Sequence, residues 1–365
     1  MIYLDHAATS FPKPQVVTAA MVRAMERCAN PGRGGYKPAM TAAETLFSCR
    51  ETASKFFHCN PDQVVFTANC THGLNLAIHT LAHPGSRILI SGFEHNAVTR
   101  PLHELRAEPV VAGTRLFDRA ETLETFEAAL KRGVDAAVFT HVSNAFGYIL
   151  PVDELAALCR RYGVPFVVDA AQSAGSLPVD FARWGADFVA MPGHKGLQGP
   201  MGTGLLLCAY TPKTLIAGGT GSVSQQQQMP DFLPDGAEAG TLNVPGIAGL
   251  EAGIQYVSGM GMQHIARRER TLARQCAEGL RRLGMQVYAG ADQGGVVSFV
   301  PAMDCHLAAE RLSQRGIAVR AGLHCAPLAH RSAGTLETGT VRLSLGPHTE
   351  NRHIAYFLQN ARFLM

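Results

Sequence analysis

The sequence predicts an α/β protein, with a large domain on a mainly parallel seven-stranded sheet and a smaller α+β domain at the C-terminal end. Three observations lead there. From about Val64 to Cys208, short β-branched runs alternate with helical patterns, the mark of βαβ units. Several of these runs are apolar almost without interruption, as strands covered on both faces must be. Beyond a stretch rich in Gly, Gln and Pro, the last third of the chain has strands and helices of its own.

In chain order, the expected strands of the large sheet are Val64–Thr67, Arg87–Ser91, Pro109–Ala112, Ala136–Thr140, Val164–Asp169, Asp187–Met191 and Gly204–Cys208. Between the first two, Leu74, Ala77, Ile78 and Leu81 make a stripe at helical spacing. Thr71-His72-Gly73 therefore falls at a strand-to-helix turn. Residues Ile216–Gly246 have no periodicity and read as a long loop. A helix over Arg267–Leu283, stopped by Gly284, opens the second domain. Strand Val296–Val300, a helix near Leu307–Arg315, strands Ile317–Arg320 and Val341–Leu345, and a last helix from Glu350 follow. The expected division is 1–15 packing with the small domain, 16–250 as the large domain and 251–365 as the small one. No internal repeat is found, and the only low-complexity run is Gln225–Gln228.

With 365 residues, 47% of them hydrophobic, the chain can bury a large core. Its 32 basic and 29 acidic residues are spread evenly and leave a net charge of +3, so neither nucleic acid nor an anionic membrane is expected as a partner. The start, Met1-Ile2-Tyr3-Leu4-Asp5-His6, has no leader pattern, and no apolar stretch is long enough to span a bilayer. Cytoplasmic residence is expected. Nine cysteines without a C-x-x-C pair fit reduced thiols better than disulfides or a zinc ribbon, and no metal is expected.

The densest chemical signal is Val167-Val168-Asp169-Ala170-Ala171-Gln172, followed by Met191-Pro192-Gly193-His194-Lys195-Gly196. Both segments sit at carboxyl ends of expected parallel strands, where open α/β sheets gather ligands. A lysine there can form a Schiff base with an aldehyde cofactor, and an aspartate can pair with a protonated pyridine nitrogen. Singly, such an Asp is a cap or turn residue and such a Lys a solvated charge. Together they are far more specific.

These blocks resemble the class V aminotransferase family of fold type I pyridoxal 5′-phosphate (PLP) enzymes, and within it the cysteine desulfurase and selenocysteine lyase branch. The resemblance runs from Tyr3-Leu4-Asp5-His6-Ala7-Ala8-Thr9 through Glu94-His95, Val142-Ser143-Asn144, Asp169-x-x-Gln172 and Gly193-His194-Lys195. It continues in Arg320-Ala321-Gly322-Leu323-His324-Cys325 and Arg342-Leu343-Ser344. It implies that Lys195 carries PLP, Asp169 meets the pyridine nitrogen, Gln172 the ring hydroxyl, and His95 stacks on the ring. It puts the phosphate at Thr71-His72, where helix N–H groups favour an anion. Family members usually have Ser where this chain has Pro192, so that hydroxyl contact is lost. Gly240-Thr241 resembles the segment that reaches the partner's phosphate in the family's homodimer.

Cys325 is expected in a loop, beside His324 and near Arg320, where positive charge favours the thiolate. Cys159, Cys208 and Cys276 fall in helical or strand patterns and read as small buried hydrophobes. The resemblance makes Cys325 the nucleophile that accepts sulfur from L-cysteine. It makes Arg342 the fork for the substrate carboxylate, with Asn144, Ala8 and Arg320 beside it. His95 and His194 are candidate proton carriers, His95 foremost. The segment Asn30–Tyr36 is a candidate part of the substrate entrance. A sulfur-acceptor protein is a further expected partner. Selenocysteine lyase, another class V aminotransferase or lyase with Cys325 as a wall residue, and a non-enzymatic sulfur-relay scaffold are the competing readings.

Overall fold

The computed structural model describes residues 1–32 and 34–364. Arg33, in the segment expected at the entrance, lies outside the described residues. Among those described, seven strands form the large sheet in the order Val64–Thr67, Gly204–Cys208, Phe188–Pro192, Phe166–Asp169, Ala136–Thr140, Arg87–Ser91, Glu108–Ala112. Only Gly204–Cys208 runs against its neighbours. The expected fold class holds.

Apart from the edge strand Glu108–Ala112, these strands alternate their side chains between two cores, which explains why the sequence runs look apolar throughout. Val64, Phe66, Leu89, Phe139 and Val168 face one layer of helices. Val65, Ile88, Ile90, Val138 and Val167 face the other. Full burial of each such side chain contributes about 1.5–3 kcal/mol.

The smaller unit is an antiparallel sheet, Arg320–Gly322, Thr340–Ser344, Val296–Val300 and Gln286–Tyr288, packed on helices Met262–Arg282 and Asn351–Ala361. Leu4, from the start of the chain, enters its core with Leu272, Phe299, Leu343 and Phe357. Helix Val244–Met260 is capped by the Asn243 side chain, has Pro245 in its first turn, and packs on helices Gln15–Arg27 and Lys37–Phe57.

Several local expectations need correction. The run Ile317–Arg320 is not one strand: Ile317–Ala318 pairs in parallel with Ile2–Tyr3, and Arg320–Gly322 pairs with Thr340–Ser344. Periodicity registers extended backbone but not which partner lies on each side. A short helix, Pro327–Ala333, follows Cys325 before the next strand. The stretch read as loop to Gly246 already turns helical at Val244. Among the described residues, no helix is long and apolar enough to cross a membrane.

Candidate active site

Asp169 ends its strand and is 3% exposed. Its Oδ1 accepts the Ala171 N–H at 2.8 Å and the Cys70 thiol at 3.5 Å, and Oδ2 has no partner among the described residues. Lys195 follows the neighbouring strand Phe188–Pro192 in a turn fixed by Gly193 N–H to Thr203 O at 2.9 Å and Gln198 N–H to Lys195 O at 2.9 Å. Gly196 packs so closely on the Ala174 carbonyl that a Cβ there has no room. Asp169 and Lys195 line one cleft with Gln172, His194, Asn144 and His95. Burial pulls the Lys195 pKa down, and the nearby Asp169 charge opposes that pull.

Helix Cys70–Leu81 points its N-terminus at the same cleft. Asn69 is the cap, with Oδ1 accepting the His72 N–H at 2.9 Å. The Cys70 and Thr71 N–H groups and the Thr71 hydroxyl have no acceptor or donor partner among the described residues, and both residues line the cleft. An unpaired pair of N–H groups at a helix start suits a phosphate. His72 takes no part in the lining, and its Nδ1 accepts the Ala68 N–H at 3.3 Å. Of the expected pair, Thr71 lines the cleft and His72 does not. Pro192 forms part of the wall and offers no hydroxyl.

His95 caps helix Asn96–Glu104, its Nδ1 accepting the Ala97 N–H at 3.0 Å, which leaves the proton of the neutral ring on Nε2. Burial lowers its pKa. Glu94 beside it is fully buried. Its Oε1 accepts from the Ser91 hydroxyl and the Thr140 N–H, Oε2 has no partner among the described residues, and burial pushes its pKa up to about 8. His194 is tied to Thr9, Nδ1 to Oγ1 at 3.1 Å, and burial takes its pKa down to about 4. Its carbonyl gathers the Ser10 N–H and the Lys13 ammonium, which fastens the N-terminal segment to the lysine turn.

Cys325 is exposed and stands at φ +56°, with His324 at φ +51°. Both are in the left-handed region, an uncommon posture for consecutive non-glycine residues. Asn144 Nδ2 donates to the His324 carbonyl at 2.7 Å and the Asn96 N–H to the Cys325 carbonyl at 2.7 Å, so the loop is held on both sides. Cys325 lines an open cavity that shares Thr71, His95 and Ala97 with the cleft. The expected positive charge from His324 is absent, because burial and the nearby Arg342 keep that ring neutral.

Arg342 sends Nη2 to Asp5 Oδ1 at 2.8 Å and Nη1 to the Asn144 carbonyl at 3.0 Å, and its Nε has no partner among the described residues. Arg320 joins the same carboxylate, Nη2 to Oδ2 at 3.0 Å. Ala8 closes the Asp5 turn, its N–H donating to the Asp5 carbonyl at 3.1 Å. Arg342 and Arg320 thus sit behind the cleft rather than in its wall, joined to it through Asn144. Gly240 and Thr241 are exposed and do not line the chain's own cleft. Sequence reasoning did not name Asp5, Cys70 or Glu94 as site residues, although Asp5 and Glu94 lay in recognisable blocks and Cys70 opens the turn Cys70-Thr71-His72 that carries part of the resemblance. Among the described residues, no group of three or more His, Cys, Asp or Glu side chains is arranged to hold a metal ion.

A half-buried lysine and a buried aspartate meeting at the carboxyl ends of a mainly parallel sheet, below a helix N-terminus with two unpaired N–H groups, define an α/β enzyme with a lysine-centred cleft. The chain belongs to the aminotransferase class-V family, whose model matches residues 2–357. A relative from Methanothermobacter thermautotrophicus named "Probable cysteine desulfurase" is 33% identical over 97% of this chain and 92% of its own. Another of the same name from Pyrococcus abyssi is 34% identical over 98% and 92%. The apo structure of a cysteine desulfurase from Thermococcus onnurineus superposes with a TM-score of 0.91 at 32% identity, covering 100% of this chain and 94% of that one.

Proposed function

We propose that this protein is a PLP-dependent cysteine desulfurase that converts L-cysteine to L-alanine and takes the sulfur onto Cys325. The observation that carries the reading is the junction at His95 and Thr71, where the cleft holding Lys195 and Asp169 meets the cavity holding Cys325. The names of the relatives point the same way.

The residues present fit PLP. Lys195 would hold it, the free Asp169 Oδ2 would meet its ring nitrogen, Gln172 would reach its ring hydroxyl, and the Cys70 and Thr71 N–H groups with the Thr71 hydroxyl would take its phosphate. When bound, the cofactor supplies an electron sink for the substrate Cα. Lys195, with its proton affinity lowered by burial, takes and returns the Cα proton. Asn144, in the cleft wall, orients the substrate carboxylate, and Arg342 behind it holds Asn144 by its carbonyl. The Cys325 sulfur attacks the substrate sulfur. The Cβ–S bond breaks, an S–S bond forms, Cβ is reduced to a methyl group, and the sulfur is left as a persulfide. His95 is the nearer proton carrier, and its neutral ring presents Nε2–H.

We read the active form as a cytoplasmic homodimer with shared sites, divided as 1–15, 16–250 and 251–365. Exposed Gly240 and Thr241, and exposed Val22, Met25, Met40 and Phe47 on the N-terminal helices, support a partner surface. A sulfur-acceptor protein is a further proposed partner. The test is product analysis with L-cysteine and a thiol reductant: sulfide and alanine are expected in equal amounts, and absence of both overturns the reading. L-selenocysteine in parallel separates the selenocysteine lyase alternative.

A further inference from the structure

We propose that the Cys70 thiol is a positioning residue for Asp169, holding the carboxylate so that Oδ2 alone is offered to the ring nitrogen of the cofactor. The inference rests on the functional reading above and adds a residue to it.

Cys70 is the first residue of helix Cys70–Leu81, buried, and part of the cleft wall. Its Sγ lies 3.5 Å from Asp169 Oδ1, the oxygen that also takes the Ala171 N–H. Two donors on one oxygen fix the carboxylate's rotation. The other oxygen, on a side chain 97% buried by its 3% exposure, is left without a partner among the described residues. Burial, and then the Asp169 charge, raise the thiol pKa well above its usual value, so the sulfur keeps its proton and remains a donor. A thiol is a weaker donor than a hydroxyl, so it orients the carboxylate while drawing off little of its negative charge. Asp169 therefore stays a strong acceptor for a protonated ring nitrogen, and its charge acts on Lys195.

The test compares wild type, Cys70→Ala and Cys70→Ser as full-length proteins reconstituted with PLP. Cofactor release is followed by loss of the visible band, the pH titration of that band is recorded, and thermal melting is measured in parallel. In Cys70→Ala release is expected to be about threefold to tenfold faster, the size of one modest hydrogen bond, with a displaced titration midpoint. Cys70→Ser keeps a donor and is expected to recover most of the loss. Unchanged release and titration in Cys70→Ala, with or without a lower melting temperature, overturns the inference alone. A wild-type protein that takes up no PLP overturns the functional reading, and the inference with it.

Discussion

Arg342 and Asp5 form a buried ion pair, Nη2 to Oδ1 at 2.8 Å, that ties the strand Thr340–Ser344 to the first turn of the chain. Their side chains are 3% and 12% exposed, and Arg320 shares the carboxylate from a more open position. Removing the carboxylate leaves two guanidinium groups facing each other, one of them buried. Asp5→Ala is expected to lose about 3 kcal/mol of stability, read from urea unfolding. Arg342→Lys keeps a charge but loses the fork, and it is expected to raise KM for L-cysteine while the visible cofactor band is retained.

Cys325 is held through the backbone of its loop, and its cavity meets the cofactor cleft across Thr71, His95 and Ala97. Cys325→Ala is therefore expected to leave the cofactor band intact and to lower sulfide release by more than about a hundredfold. Sulfide release close to the wild-type rate would make this cysteine a wall residue and favour a different class V reaction.

Pro192 lines the cleft where a hydroxyl is missing. Pro192→Ser is expected to tighten PLP binding by about fivefold, one added hydrogen bond, in a spectral titration of the apoprotein. Equal affinity would mean that the Cys70 and Thr71 N–H groups already satisfy the phosphate.

Glu269 is 8% exposed, has no hydrogen-bond partner among the described residues, and faces a cavity between the two sheets that also reaches Lys195 and Gln172. Burial pushes its pKa up to about 8 from the ordinary 4.5. The folded state holds this proton more tightly than the unfolded chain. Its contribution is therefore greatest below about pH 4.5, declines as pH rises, and is gone above about pH 8. Glu269→Gln is expected to flatten that decline. The check is the urea midpoint at pH 6 and pH 9, whose difference should be smaller in the variant.

The family and the fold class were legible because they rest on local patterns. Strands Val64–Thr67, Arg87–Ser91, Ala136–Thr140, Gly204–Cys208 and Val296–Val300 fall where the sequence put them, since each is a short apolar run bounded by turn residues. Lys195, Asp169 and Gln172 stood out because they follow strand ends in recognisable blocks. The contact between Cys70 and Asp169, 99 positions apart, has no counterpart in any local pattern. The same is true of Arg342 and Asp5, 337 positions apart.

By itself the sequence determined most strands of the large sheet and which residue types reach their ends, because periodicity and turn chemistry act over a few residues. Only the tertiary structure decided which charge is neutralised by which, that His324 is neutral rather than cationic, and that one thiol orients the key carboxylate. Those outcomes depend on burial and on distances across the fold, set when distant segments pack together and exclude water.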